Sequence, residues 1–182
     1  LYFLENHDEQ RLASDFFAGD ARRGRAPLLV SALMDYCPMM IYFGQELGER
    51  GMDAEGYSGR DGRTTIYDYW TVDTVSRWRN GGKFNDKKLT GDEKRLREFY
   101  ARVLALRESM PVLRSGHFYD LMYVNRHLHR QYVFVRQLEK QVLLVIANFD
   151  DQEANLSIHL PEEFFRFIGQ KGQTEVRALD LL

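Results

Sequence analysis

The sequence predicts an α/β segment followed by an all-β one. Three observations carry that prediction. Up to about Ser115, short continuous apolar runs alternate with stretches of helical period. After Gly116 the apolar period drops to two. Between them stands one long helix with a start signal and a stop signal. At 182 residues the chain holds one large domain or two small ones. We place the division at residues 1–115 and 116–182, a change of architecture without a flexible linker.

Leu1–Leu4 reads as the end of a strand, and Asn6–Arg25, polar with two glycines, as a loop with a short helix. Pro27 suits a first helical turn. Leu28, Leu29, Ala32, Leu33 and Tyr36 then recur at helical spacing. Pro38 ends that helix, and Met39–Phe43 follows as a second strand, whose unbroken apolar character suits burial on both faces in a parallel sheet. Strand, helix and strand together have the size of a crossover unit. Gly44–Gly91 is long, polar and rich in glycine and aromatics, so it is expected to be functional or to carry small elements of its own. Thr90 and Glu93 form a capping box, and Leu96, Phe99, Tyr100, Val103, Leu106 and Met110 make one apolar stripe ahead of Pro111. Beyond Gly116, strands are expected over His117–Val124, Gln131–Leu138, Gln141–Phe149, Glu153–Leu160 and Val176–Leu181. Tight turns between consecutive strands imply an antiparallel sheet.

Composition narrows the partners. With 25 basic and 27 acidic residues intermixed and a formal charge of −2, no basic face stands out for nucleic acid. The longest largely apolar stretches, Pro38–Phe43 and Val142–Phe149, fall far short of the roughly 20 residues a membrane helix needs. The single cysteine, Cys37, forms no internal disulfide and reads as a buried small hydrophobe, which leaves the compartment open.

The chemistry concentrates in Asn6-His7-Asp8. An imidazole and a carboxylate leave the end of a strand together, flanked by Glu5 and Glu9. In a parallel barrel, catalytic groups sit at such strand ends. Gly44-Gln45-Glu46 stands at the equivalent place one unit later, facing the same pocket. An acidic pocket with aromatic residues suits sugars: carboxylates bind hydroxyls and stabilise an oxocarbenium-like centre, and rings stack on pyranoses. Tyr57, Tyr67 and Trp70 are the candidate stacking residues, with Tyr69 beside them. Glu46 and Arg11 read as structural, Arg11 as half of a scaffold ion pair. His127 and His129 lie at a polar strand connection with no cysteine or carboxylate placed to complete a metal site, so no metal is assigned.

These residues carry a resemblance. Leu1–Arg11 (LYFLENHDEQR) resembles the fourth conserved region of the α-amylase family of glycoside hydrolases. Pro38–Gly48 (PMMIYFGQELG) resembles that family's motif at the last barrel strand. Leu104–Arg107 through Leu113–Gly116 resembles its closing barrel helix, and the strand around Val142–Phe149 its C-terminal β-sandwich. The four segments run in the family's order. The resemblance implies the last βα units of a (β/α)8 TIM barrel followed by an antiparallel, sandwich-like domain. It implies a retaining glycosidase acting on an α-glucan such as starch, glycogen or maltodextrin. Within that reading Asp8 is the transition-state stabiliser and His7 binds the same sugar. The nucleophile and the general acid of the family map upstream of Leu1, as does its calcium-binding region, so no cofactor is expected within this segment. We therefore expect a C-terminal piece of a larger enzyme, inactive alone, that rests on the upstream part of its parent chain or self-associates. The competing expectation is an amylase-like subunit that binds or chaperones without catalysis. The loop Glu49–Trp70 follows no pattern that fixes a linkage.

Overall fold

The computed structural model describes residues 1–53, 60–64, 72–170 and 177–182. Its contacts divide the chain into two units. Unit 1 comprises Leu1–Leu28 and Cys37–Arg102, and unit 2 comprises Leu29–Tyr36 and Val103–Leu182. Two helices, α1 (Arg25–Leu33) and α3 (Gly91–Ser109), run through that division.

In unit 1 the strands β1 (Tyr2–Phe3) and β2 (Met39–Met40) pair in parallel, with Tyr2 opposite Met39 and Phe3 opposite Met40. The connection between them carries α1, as the apolar spacing predicts, preceded by a 3₁₀ turn over Ala21–Gly24. Asp20 caps that turn by accepting from the Arg22 amide at 2.8 Å. The second strand is shorter than expected: Met39–Met40 forms the ladder, not Met39–Phe43. The chain turns at Tyr42, whose carbonyl accepts from the Gln45 amide at 2.8 Å and whose amide donates to the Gln45 side chain at 3.1 Å. Nor is the strand buried on both faces; Met39 and Met40 are half-buried and Phe43 is exposed.

The long polar stretch does carry elements of its own: α2 (Asp73–Arg79) and 3₁₀ turns over Gln45–Leu47 and Asp86–Lys88. At the start of α3 the capping box is closed. The Glu93 amide donates to Thr90 Oγ1 at 3.2 Å, and the Thr90 amide donates to Glu93 Oε2 at 2.7 Å. Of the predicted stripe, Leu96, Tyr100 and Val103 are buried and Phe99, Leu106 and Met110 half-buried. Pro111 opens a further short helix, α4 (Pro111–Ser115), at the first position, where its missing amide proton is least costly.

Unit 2 holds a three-stranded antiparallel sheet in the order β3 (His117–Asp120), β4 (Gln131–Leu138), β5 (Gln141–Asn148). Its core joins Leu121, Leu128, Val133, Val135 and Phe164, the last from α5 (Glu162–Phe167), a helix the period-two reading did not anticipate. Three strand expectations are corrected. The first strand stops at Asp120, whose carboxylate accepts from the Met122 amide at 2.9 Å and turns the chain. Glu153–Leu160 alternates as a strand does, with Leu156, Ile158 and Leu160 packed on the core, but it joins no ladder. A side chain replaces the neighbouring strand there. Asn125, fully buried, accepts from the His159 amide at 2.7 Å and donates to the His159 carbonyl at 3.0 Å. In the last expected strand, the described residues Arg177–Leu182 carry no secondary structure.

Arg136 anchors the sheet. Its side chain is buried, and it donates to the carbonyls of Met34 at 2.5 Å, Gly116 at 2.7 Å and Leu33 at 3.3 Å. A guanidinium on carbonyls at the end of α1 satisfies groups the helix itself leaves unpaired. No helix among the described residues is long and apolar enough to cross a membrane.

Candidate functional site

Asn6-His7-Asp8 follows directly from the C-terminal end of β1, and its shape is set locally. The Asn6 side-chain oxygen accepts from the amides of Asp8 at 2.8 Å and Glu9 at 2.9 Å. This is an Asx-type turn, in which a short side chain supplies the acceptor the backbone lacks. It leaves the two candidate side chains outward and adjacent. His7 Nε2 lies 3.6 Å from Asp8 Oδ1, with side-chain exposures of 41% and 71%. Both can reach a polyhydroxylated ligand from solvent without being unburied first.

The turn is gripped from beneath by a buried pair. Arg11 Nε stands 3.1 Å from Glu5 Oε2, with side-chain exposures of 0% and 2%. Glu5 Oε1 accepts from the Leu12 amide at 2.7 Å. Burial pushes the Glu5 carboxyl above its ordinary pKa, against the pull of the Arg11 guanidinium. The other nitrogens of Arg11 are also used: Nη2 donates to the Phe43 carbonyl at 2.7 Å and Nη1 to Thr64 Oγ1 at 3.0 Å. The guanidinium lies 4.7 Å from the centre of the Tyr42 ring, whose hydroxyl donates to the Thr64 carbonyl at 2.8 Å. The Arg11 amide donates to the Gly62 carbonyl at 2.6 Å. Gly62 has φ of +81°, and a Cβ there would fall 2.3 Å from Ser14 Oγ, so only glycine fits.

The predicted site residues therefore fall into two groups. His7 and Asp8 stand together on one turn. Tyr57, Tyr67, Tyr69 and Trp70 lie outside the described residues. Arg11 is an ion-pair member, as its type suggested. Glu46 is half-buried on the 3₁₀ turn after β2. Sequence reasoning passed over Glu49, which is buried and accepts from the amides of Arg50 and Gly51, each at 3.0 Å, and from the Thr74 hydroxyl. Nothing local marks it, because its partners come from a distant helix and from its own turn. His127 and His129 are exposed, and the His127 ring lies 2.8 Å from the Ser157 carbonyl. Cys37 is half-buried rather than buried.

A cavity of about 530 Å³ opens elsewhere in unit 1, lined by Asp20, Gly48, Glu49, Asp73, Arg77 and Glu93 among others. Neither His7 nor Asp8 lines it. Several of its charges are already spent on the scaffold: Asp20 on Arg22, Glu49 on Thr74, Glu93 on Arg77. It reads as a seam between packed elements, whereas His7 and Asp8 stand exposed on the turn after β1.

Taken together, the parallel β1–α1–β2 unit and the antiparallel sheet define a mixed α/β chain with its candidate groups at a strand end. Solved structures share that fold. The chain matches isomaltulose synthase from Klebsiella sp. LX3 at 20% identity and a TM-score of 0.52, over 82% of this chain and 34% of that one. It matches a mutant of Bacillus licheniformis trehalose-6-phosphate hydrolase at 16% identity and a TM-score of 0.51, over 88% and 36%. It matches AmyP in complex with maltose at 19% identity and a TM-score of 0.55, over 81% and 30%. The chain thus spans about a third of the length of these relatives. At 16–20% identity the likeness is one of fold alone. No family model and no curated protein matches the chain.

Proposed function

We propose that this chain forms the last βα units of a TIM barrel and the sandwich-like C-terminal domain of a retaining α-glucan-active glycosidase. The observation that carries the reading is the turn after β1. It holds an exposed carboxylate and an imidazole side by side at the C-terminal end of a parallel strand, where barrel enzymes keep their chemistry. In this reading Asp8 accepts hydrogen bonds from hydroxyls of the sugar at the scissile bond. Those bonds strengthen as positive charge develops at the anomeric carbon. His7 binds the same sugar from the adjacent position. The nucleophile and the general acid belong to earlier strands of the parent, and calcium, where the parent uses it, is held there too. The aromatic stretch with Tyr57, Tyr67 and Trp70 supplies stacking surfaces for further sugar units. The relatives named above act on or bind sugars by their own descriptions, which favours this class over others.

The test is product analysis on maltoheptaose with the full-length protein beside Asp8→Asn. Breakdown with retention of anomeric configuration is expected. In the variant kcat should fall roughly 10²–10³-fold, the scale of losing one preorganised stabilising group. A wild type that breaks neither maltoheptaose nor a branched glucan would overturn the enzymatic reading and leave a sugar-binding or chaperone subunit.

A further inference from the structure

The Glu5–Arg11 pair is a costly thing to bury. Removing two charges from water is repaid only when geometry and extra hydrogen bonds are good, and an apolar pair of similar volume often serves stability as well or better. Here the geometry is incomplete. Glu5 Oε2 and Arg11 Nε are both fully buried and face each other at 3.1 Å, yet neither makes an aligned hydrogen bond. What the pair does achieve is positional. Glu5 immediately precedes Asn6-His7-Asp8, and Arg11 closes the turn three residues after Asp8. The two charges therefore pinch both ends of the turn that carries the candidate groups. The two remaining forks of Arg11 reach the Phe43 carbonyl, just past β2, and the Thr64 hydroxyl. One rigid guanidinium thus ties three separate chain segments to a single point.

We propose that Glu5 and Arg11 are positioning residues, a buried clasp that sets where His7 and Asp8 stand relative to the Tyr42–Phe43 and Gly62–Thr64 segments. The proposal rests on the sugar-site reading for its kinetic consequence and on geometry alone for its structural one. Neither residue touches substrate. Their effect passes through the Asn6 turn, so loosening the clasp displaces the carboxylate without removing it.

The test uses the full-length protein with Glu5→Met/Arg11→Met as a double variant and Arg11→Lys as a second one. The apolar pair removes the clasp while keeping the volume. The lysine keeps the charge without the planar fork. In the folded double variant the amide signals of Asp8, Glu9 and Thr64 are expected to shift together in the proton–nitrogen spectrum. On maltoheptaose kcat should fall roughly 100-fold, as for a misplacement of about 1 Å, with KM little changed. Wild-type signals and wild-type kcat in a folded double variant overturn the proposal and leave a scaffold pair. If the double variant does not fold, Arg11→Lys decides: joint shifts and a lowered kcat support the clasp, and wild-type behaviour overturns it. The two readings fail separately. A wild type inert towards glucans removes the proposed function, while the coupled amide shifts still report the positioning.

Discussion

Glu93 shows how much one side chain can hold. It closes the capping box of α3 and receives the Arg77 guanidinium at 2.5 Å. Burial alone pushes its carboxyl upward, but the bonds from Arg77 and the Thr90 amide outweigh that and hold the pKa below the ordinary 4.5. A carboxyl with a lowered folded pKa contributes stability that is complete above its unfolded value and lost as pH falls through the folded one. Acidification below about pH 4.5 should therefore lower the thermal midpoint of the wild type more steeply than that of Glu93→Gln. Parallel midpoint curves for the two proteins would refute this. Glu5 works in the opposite sense, since its raised pKa makes ionisation costly to the fold as pH rises; both proteins share it, so it cancels in the comparison. At this scale the sequence was informative where the signal is local. The placement of Asn6-His7-Asp8 at a strand end and the Thr90–Glu93 box were legible because the residues that set them lie within a few positions, and Arg11 read as half of an ion pair without its partner. Glu49 was not, because Thr74 meets it from a helix far along the chain.

Arg136 makes the corresponding point for elements. In Tyr132–Leu138 it occupies a slot that alternation assigns to the same face as Phe134 and Leu138, and a charged residue there suggests solvent. The structure buries it and spends it on three carbonyls. Arg136→Met keeps much of the packing and strands those acceptors, at a cost of about 1–3 kcal/mol for buried groups left unpaired. Denaturant unfolding would measure it, and a loss well under 0.5 kcal/mol would mean water replaces the guanidinium freely. Burial lowers the Arg136 pKa, yet its ordinary value is so high that it stays charged. The same limit on sequence reading explains Glu153–Leu160. Its alternation was visible and its apolar residues do reach the core. Whether such a segment finds a strand or an asparagine as neighbour depends on Asn125, and no period reveals that.

For the molecule as a whole, exposed apolar side chains carry the main consequence. In unit 1, which holds a sheet of two short parallel strands, Leu1, Phe3, Phe16, Phe17 and Phe43 are each more than two-fifths exposed. In unit 2, Val142, Leu144 and Ile146 lie exposed along β5, which pairs only with β4 among the described strands. Unpaired strand edges with apolar neighbours invite further chain. Expressed alone, this segment should sediment as species larger than a monomer at micromolar concentration, and Phe3→Lys/Phe43→Lys should shift it towards monomer. A clean dilute monomer of the unmodified segment would rule this out. The order of elements, strand–helix–strand and then a meander, was readable from the change of apolar period. Strand lengths were less so, because where a ladder stops is set by partners such as Gln45 and Asp120 that bend the chain.

The two sheets also close over very different lengths of chain. Glu139 and Lys140 alone separate β4 from β5, with Glu139 in the left-handed region at φ 52° to make the reversal. Tyr2, by contrast, waits for Met39. Hairpins of the first kind form in about 1–10 μs, whereas pairing across a long connection must first overcome the entropy of bringing its ends together. Protection of the β4–β5 amides in pulsed hydrogen exchange should therefore precede that of Tyr2; simultaneous protection would show that the ladders form as one event. In refolding from denaturant the strand that carries the candidate site is therefore secured only after the hairpin that Glu139 and Lys140 close.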